Sequence, residues 1–406
     1  MQNGGPSQMD LMDPKPMLTK YNGQPIPISV TQRAINKTAN LMASPYKFQK
    51  YGQSGIELSE LLPGLSKVVD DIAVIRSGVT TRIDHGEAIL MTHTGRPISG
   101  FPSMGSWITY GLGTENQNLP GYVVLCPGKP VVGPALWGNS FLPGIFQGTH
   151  INNAKIDPAK VIGHLKNNHL TPTAQKRFLA LLQAANRKHL EQRNNDSSLD
   201  ARIQSLEIAF RMQFEAQDAF DISRETATTR TNYGKGEFAD GCLIARRLVE
   251  RGVRMVQLYY GSGQPWDAHG NIMDHKRDAG KSDQPIAALI KDLKQRGLLD
   301  ETLIVWGGEF GRTPMFQGKG GAGRDHHVKG FSMWMAGGGI KGGVGYGETD
   351  ELGYHAQKEV VHVRDLHATM LHQLGIDHNR FSVKHQGLDM KLTGVEKARV
   401  VKDILI

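Results

Sequence analysis

Residues 300–327 read DETLIVWGGEFGRTPMFQGKGGAGRDHH. Thr302 to Trp306 is a short apolar run rich in β-branched residues, the pattern of a strand buried on both faces, and Gly307, Gly308, Glu309 and Gly311 follow at once. Such a strand delivers the Glu309 carboxylate to its carboxyl end, the edge of an open α/β sheet where loops converge on ligands. A glycine-rich loop, Gly318 to Gly323, then leads to Arg324-Asp325-His326-His327. A carboxylate, a loop and imidazoles are the parts from which separate turns assemble a metal site. On local grounds alone, pairing of Glu309 with Arg312 or Arg324 beside surface histidines fits equally well.

Outward from this stretch the same strand-to-loop arrangement recurs. Asp71 to Ile75 reads as a buried strand, Arg76 to Asp84 as a loop, and His85 to Met91 as a helix. His85 thus falls in a first helical turn, where free backbone N–H groups favour anions, although an ordinary polar helix start has the same appearance. A helix at Gly241 to Arg251, stopped by Gly252, leads into a strand at Met255 to Tyr260, the succession of a mainly parallel sheet. The loop beyond it reads GSGQPWDAHGN, and Asp267 and His269, two apart in extended backbone, share one face. A helix from Gln284 to Gln295 feeds the strand at Thr302, and further strands are expected at Tyr122 to Leu125 and Met333 to Ala336. Asp157 to Asp221 is charged and helical in period, a hairpin lying outside the sheet. Val360 to Leu374 reads as a short strand and a helix, and most histidines of this tail are expected to be structural. The first residues form a loop of turn formers carrying Asp10 and Asp13, of a kind that normally follows a strand.

Composition narrows the class. The 406 residues are 39% hydrophobic and 21% charged, with mean hydropathy -0.36, as expected of one large α/β domain over 1–406. No apolar run of about 18 residues exists to span a membrane, and no secretory pattern opens the chain, so as given it reads as cytoplasmic. Cys126 and Cys242 lack CxxC spacing and read as core residues. The net charge of +8 favours anionic substrates, but the basic residues are dispersed and no nucleic-acid module is present.

The segments GGPSQMDLMDPKP, WDAHGN, DETLIVWGGEFGRTP, GRDHH and VRDLHATMLHQLGIDH, in this order, resemble a bacterial sulfatase-like family, domain of unknown function 1501, of the alkaline phosphatase superfamily. The resemblance implies an alkaline phosphatase-like sandwich, a mostly parallel central sheet flanked by helices, and a metal-dependent hydrolase of sulfate or phosphate esters, the substrate a small molecule or a glycan. It implies one or two divalent ions (Zn, Ca, Mg or Mn), with Asp10, Asp267, His269, Glu309 and His326 as ligands. Arg312, Arg324, Asp325 and His327 are implied as substrate-binding. His85 stands where the superfamily carries its nucleophile, with Thr80 and Thr81 as poorer candidates. The CxPSR motif of sulfatases is absent, and Phe310 stands where a phosphatase often has a second ligand. A degenerate member that binds a metal or an anionic glycan without turnover is therefore the alternative. The family usually carries an apolar strand ahead of GGPSQMD and an export signal, so the expected sheet lacks its first strand and the protein is expected outside the cytoplasm if the start is truncated.

Overall fold

The apolar, β-branched runs form the strands. A computed structural model describes residues 1–28, 40–157, 170–194, 196–317 and 322–406. The elements that place the site, in chain order, begin with strand β1 (Ile72–Val79), helix α1 (His85–Thr94), β2 (Tyr122–Leu125) and β3 (Thr149–Ile151). Helices α2 (Pro172–Gln192) and α3 (Ser197–Phe220) follow, then α4 (Glu237–Glu250), β4 (Met255–Leu258) and α5 (Asp274–Gln295). The carboxyl-terminal part contributes β5 (Ile304–Trp306), β6 (Gly311–Arg312), β7 (His326–His327), β8 (Phe331–Ala336), β9 (Val344–Tyr346), β10 (Val361–His362) and α6 (Val363–Gln373). Among the described residues no helix is long and apolar enough to cross a membrane.

The architecture is mixed α/β, with the strands divided among small sheets, and in the five-stranded one β8 alone runs against the other four. β8 lies antiparallel to both β1 and β5, whereas β9 and β10 run parallel to β1. The strand after the GRDHH segment returns through the middle of the sheet, a direction that periodicity does not report. β3, β2 and β4 form a second, all-parallel sheet. The strand at Met255, expected beside those at Ile72 and Thr302, therefore pairs elsewhere. Its apolar pattern was sufficient to identify a buried strand but carries no information about its partner.

Ile72, Ala73, Val74 and Ile75 of β1 are fully buried, and the sheet is packed on both faces. One face meets α4 and α5 through Leu243, Ile290 and Leu293, and the other meets α6 through Leu366 and Met370. α5 begins ten residues before the expected Gln284. Pro285 lies inside the helix. The upstream turns are polar in composition but bury His275, Asp278, Ala279 and Ser282. Within the stretch 157–221 read as a hairpin the described residues hold helices α2 and α3, and residues 158–169 and 195 lie outside the described residues. Cys126 and Cys242 are free and buried.

Several histidines are structural in their contacts. His93 and His367 bond the carbonyls of Ile89 (2.8 Å) and Thr92 (2.7 Å), His275 accepts from the Ser7 amide (2.9 Å), and His327 bonds the Tyr354 carbonyl. Burial pushes their pKa values down, to about 3 for His93 and His275 and about 4 for His327 and His367. The unfolded chain therefore binds more protons than the folded one below about pH 6.5, so stability falls as pH drops through that value. At pH 5 each histidine costs on the order of 2 kcal/mol. The urea midpoint is expected to fall steadily between pH 7 and 5, and a flat midpoint over that range would contradict these buried neutral imidazoles.

Candidate metal centre

The carboxyl ends of β1, β4 and β5 each feed a loop of the site, as open α/β sheets arrange their ligands. After β1 the chain turns through residues 80–84, and Asp84 precedes α1 so that His85 opens the helix. After β4 the loop brings Asp267 and His269, and after β5 the glycine pair leads to Glu309. Antiparallel pairing of Arg312 with His326 brings the GRDHH segment beside that turn. Two glycines allow the loops to approach. A Cβ at Gly4, whose φ is +108°, would lie 2.5 Å from the Asp267 nitrogen, and one at Gly323 would lie 2.0 Å from the His269 carbonyl.

His85, Asp267, His269 and His326 each offer one ligand atom, all within 4.8 Å of one another. Asp267 is central: its oxygens lie 3.3 Å from His85 Nε2, 3.0 Å from His269 Nε2 and 3.2 Å from His326 Nε2. His269 Nε2 and His326 Nε2 are 2.9 Å apart. The other nitrogen of each ring is engaged outside the cluster. His85 Nδ1 bonds Glu309 Oε1 (2.6 Å), His326 Nδ1 bonds the Ile83 carbonyl (2.9 Å), and His269 Nδ1 bonds Gln317 Oε1. An acceptor at Nδ1 fixes the N–H there and leaves the Nε2 lone pair facing inward.

Three inward lone pairs and a carboxylate repel one another unless a cation or protons lie among them. Burial disfavours charge on His85, but bonds and charges from Asp267 and Glu309 prevail and raise its pKa. The bond to Asp267, against burial, likewise raises that of His269. Burial lowers His326. Burial also opposes ionisation of Asp267, yet the three imidazoles and Arg312 hold it far below the ordinary carboxylate range. The cluster thus draws positive charge, and its nitrogen-rich donor set fits a divalent ion of the zinc type.

The remaining expected residues lie around this group. Glu309 is 1% exposed and stands behind His85, its Oε1 also accepting from the Gly4 amide at 2.9 Å. Asp10 is fully buried and bonded to Ser7 and Arg324, with Arg324 Nε at 2.7 Å from Oδ2, and is not among the four converging residues. Arg312 is fully buried, donating to the carbonyls of Gly4, Gly5, Trp266 and Arg324 and to Asp267 Oδ1 at 2.7 Å. Arg324 and His327 are also fully buried, so neither arginine presents its charge to solvent. Asp325 accepts from the His326 amide at 2.8 Å and lies 3.9 Å from His269 Nδ1. Phe310 packs on the rings of His85 and His326, with centroids 4.9 and 4.4 Å away, and makes that side of the cluster apolar. Sequence reasoning missed Gln317 and the Ile83 carbonyl. A lone glutamine ahead of a glycine-rich loop and a backbone oxygen carry no pattern by which to find them.

The chain belongs to the family of proteins of unknown function DUF1501, which matches residues 1–405. No curated protein matches the sequence significantly. Among solved structures, a phosphonate monoester hydrolase from Silicibacter pomeroyi is similar with a TM-score of 0.37 and 11% identity, over 85% of this chain and 71% of that one. A likeness that distant carries no functional argument.

Proposed function

We propose that this protein is a metal-dependent hydrolase of phosphate or sulfate esters that holds one divalent ion on His85, Asp267, His269 and His326. The observation that carries the reading is the outward engagement of all three Nδ1 atoms, which aims three Nε2 lone pairs at one carboxylate. When bound, such an ion polarises an ester oxygen and acidifies water. The chain's own groups hold the ligands in place. Glu309 orients His85, Arg312 anchors Asp267, and Phe310 excludes water from one side, while His269, with 35% of its side chain exposed, marks the open side. His85 serves here as a ligand, since its Nε2 faces Asp267. Asp10 serves as a buried support. The imidazole-rich set favours zinc over magnesium or calcium.

One observation favours a second reading, metal binding without turnover. The two arginines expected to grip an anion, Arg312 and Arg324, are fully buried. Metal analysis of the purified protein, with aryl phosphate, phosphonate and sulfate esters assayed before and after chelation, separates the two. The hydrolase reading expects about one ion per chain and turnover that chelation abolishes. Metal without turnover on any ester establishes the second reading, and absence of metal rejects both. Glu309→Gln is expected to weaken metal binding by about 10–100-fold, the usual effect of removing a carboxylate behind a ligating histidine. Unchanged affinity would show that Glu309 does not orient the ligand.

A further inference from the structure

Helix α2, of 21 residues and about 30 Å long, has no buried residue among those described. Helices of that length draw most of their stability from packing an apolar face. The half-buried positions Leu179, Gln183, Asn186 and Leu190 recur at helical spacing and mark the side that α3 covers. A second apolar stripe adjoins them. Phe178, Leu181, Leu182 and Ala185, spaced i, i+3, i+4 and i+7, are all exposed, Leu181 by 73%. α3 adds Leu206, 54% exposed, and is itself anchored through Ala216, Ala219 and Phe220, which pack with Ile244 and Leu248 of α4. The hairpin thus stands on the base of α3 and carries an uncovered apolar stripe on α2.

Charge selects what covers that stripe. α2 carries Lys176, Arg177, Arg187 and Lys188 against the single acid Glu191, whereas α3 carries Asp200, Glu207, Glu215 and Asp218 against Arg202 and Arg211. Two copies of α2 packed on each other would set basic residues against basic residues in either direction, and like charges repel. An anionic membrane would meet the acids of α3 beside the stripe. A basic helix against an acidic one has neither fault, and a second copy of this hairpin supplies both. The levels also match. α2 ends and α3 begins at one connection, so Lys188 and Asp200 lie about equally far from it, as do Leu182 and Leu206.

We propose that the α2–α3 hairpin is a dimerisation surface whose partner is a second copy of this chain. The two hairpins lie side by side about a twofold axis parallel to them, with their connections at the same end. α2 of each copy packs Phe178, Leu181 and Leu182 against α3 of the other, meeting the partner's Leu206. The four helices alternate basic and acidic around the bundle, and Arg187 and Lys188 stand beside the partner's Asp200. The proposal does not depend on the ester-hydrolase reading, since the hairpin contains none of the four converging ligands.

Sedimentation velocity of the full chain over a range of concentrations is expected to show a species of twice 44.6 kDa. Leu181→Glu places a charge in the middle of the stripe, on a side chain exposed in the single chain, and is expected to weaken association by at least ~100-fold while circular dichroism stays unchanged. Lys188→Glu is expected to weaken it by roughly tenfold, more at low salt, and Asp200→Lys added to it restores association. A wild-type chain that stays monomeric, a dimer that survives Leu181→Glu, or a reciprocal charge pair that fails to restore association would overturn the proposal. If Leu181→Glu disturbs the fold, the comparison of Lys188→Glu with the reciprocal pair decides alone. A monomer that binds vesicles of anionic lipid, and loses that binding with Leu181→Glu, assigns the stripe to a membrane and equally overturns the second copy.

Discussion

Asp267→Asn is expected to abolish stoichiometric metal binding while the protein remains folded. The substitution keeps the size of the side chain and removes the one charge that His85, His269, His326 and Arg312 share. A neutral amide is a poor ligand beside three imidazoles, and it can turn an N–H toward the ion position. The expected fall in zinc affinity is at least about 100-fold, equivalent to about 2.7 kcal/mol. Arg312 loses its charge partner but keeps four backbone carbonyls, so the buried guanidinium remains hydrogen-bonded. Isothermal titration with zinc and a thermal melt on the same preparation check both halves of the expectation. Wild-type affinity in a folded Asp267→Asn protein would exclude the four-residue centre.

Of the candidate cluster and its surroundings, the parts legible in the sequence are those in which residue type and backbone period coincide. Asp267 and His269 alternate along an extended loop, Glu309 follows a strand of unmistakable apolar pattern, and His326 lies in a dense run of ligand types. His85 was legible as a position, the first turn after a strand, but not as a role. The role depends on which ring nitrogen faces Glu309, and that is a tertiary fact. The surroundings of the arginines were illegible for a related reason. Arg312 and Arg324 are charged and lie near ligand types, the pattern of an anion grip, yet their donors are consumed by backbone carbonyls and by Asp10 and Asp267. Likewise the strands were visible from their apolar runs, but which strand edges meet, and so the placing of β4 and β5 in separate sheets, is a tertiary fact. No periodicity encodes such contacts.

Asp10 separates the two kinds of role most sharply. The resemblance implies a metal ligand, whereas the structure places its carboxylate against Arg324, both side chains fully buried. Burial opposes ionisation of Asp10, but the charge and hydrogen bonds of Arg324, with the Ser7 hydroxyl, hold its pKa below the ordinary value. A carboxylate depressed in this way contributes stability above its unfolded pKa of about 4, and loses it only as pH falls through the lower folded value. Asp10→Ala leaves the Arg324 charge buried and uncompensated, and is expected to lower stability at pH 7 by about 3–5 kcal/mol. The double variant Asp10→Leu with Arg324→Met removes both charges and is expected to recover much of that loss. Urea unfolding of the three proteins at pH 7, with zinc titration of each under folding conditions, decides between support and ligand. A supporting role predicts a large loss in midpoint with near wild-type affinity in whatever fraction remains folded. A ligand role predicts the reverse, little change in midpoint and a loss of affinity as large as that of Asp267→Asn.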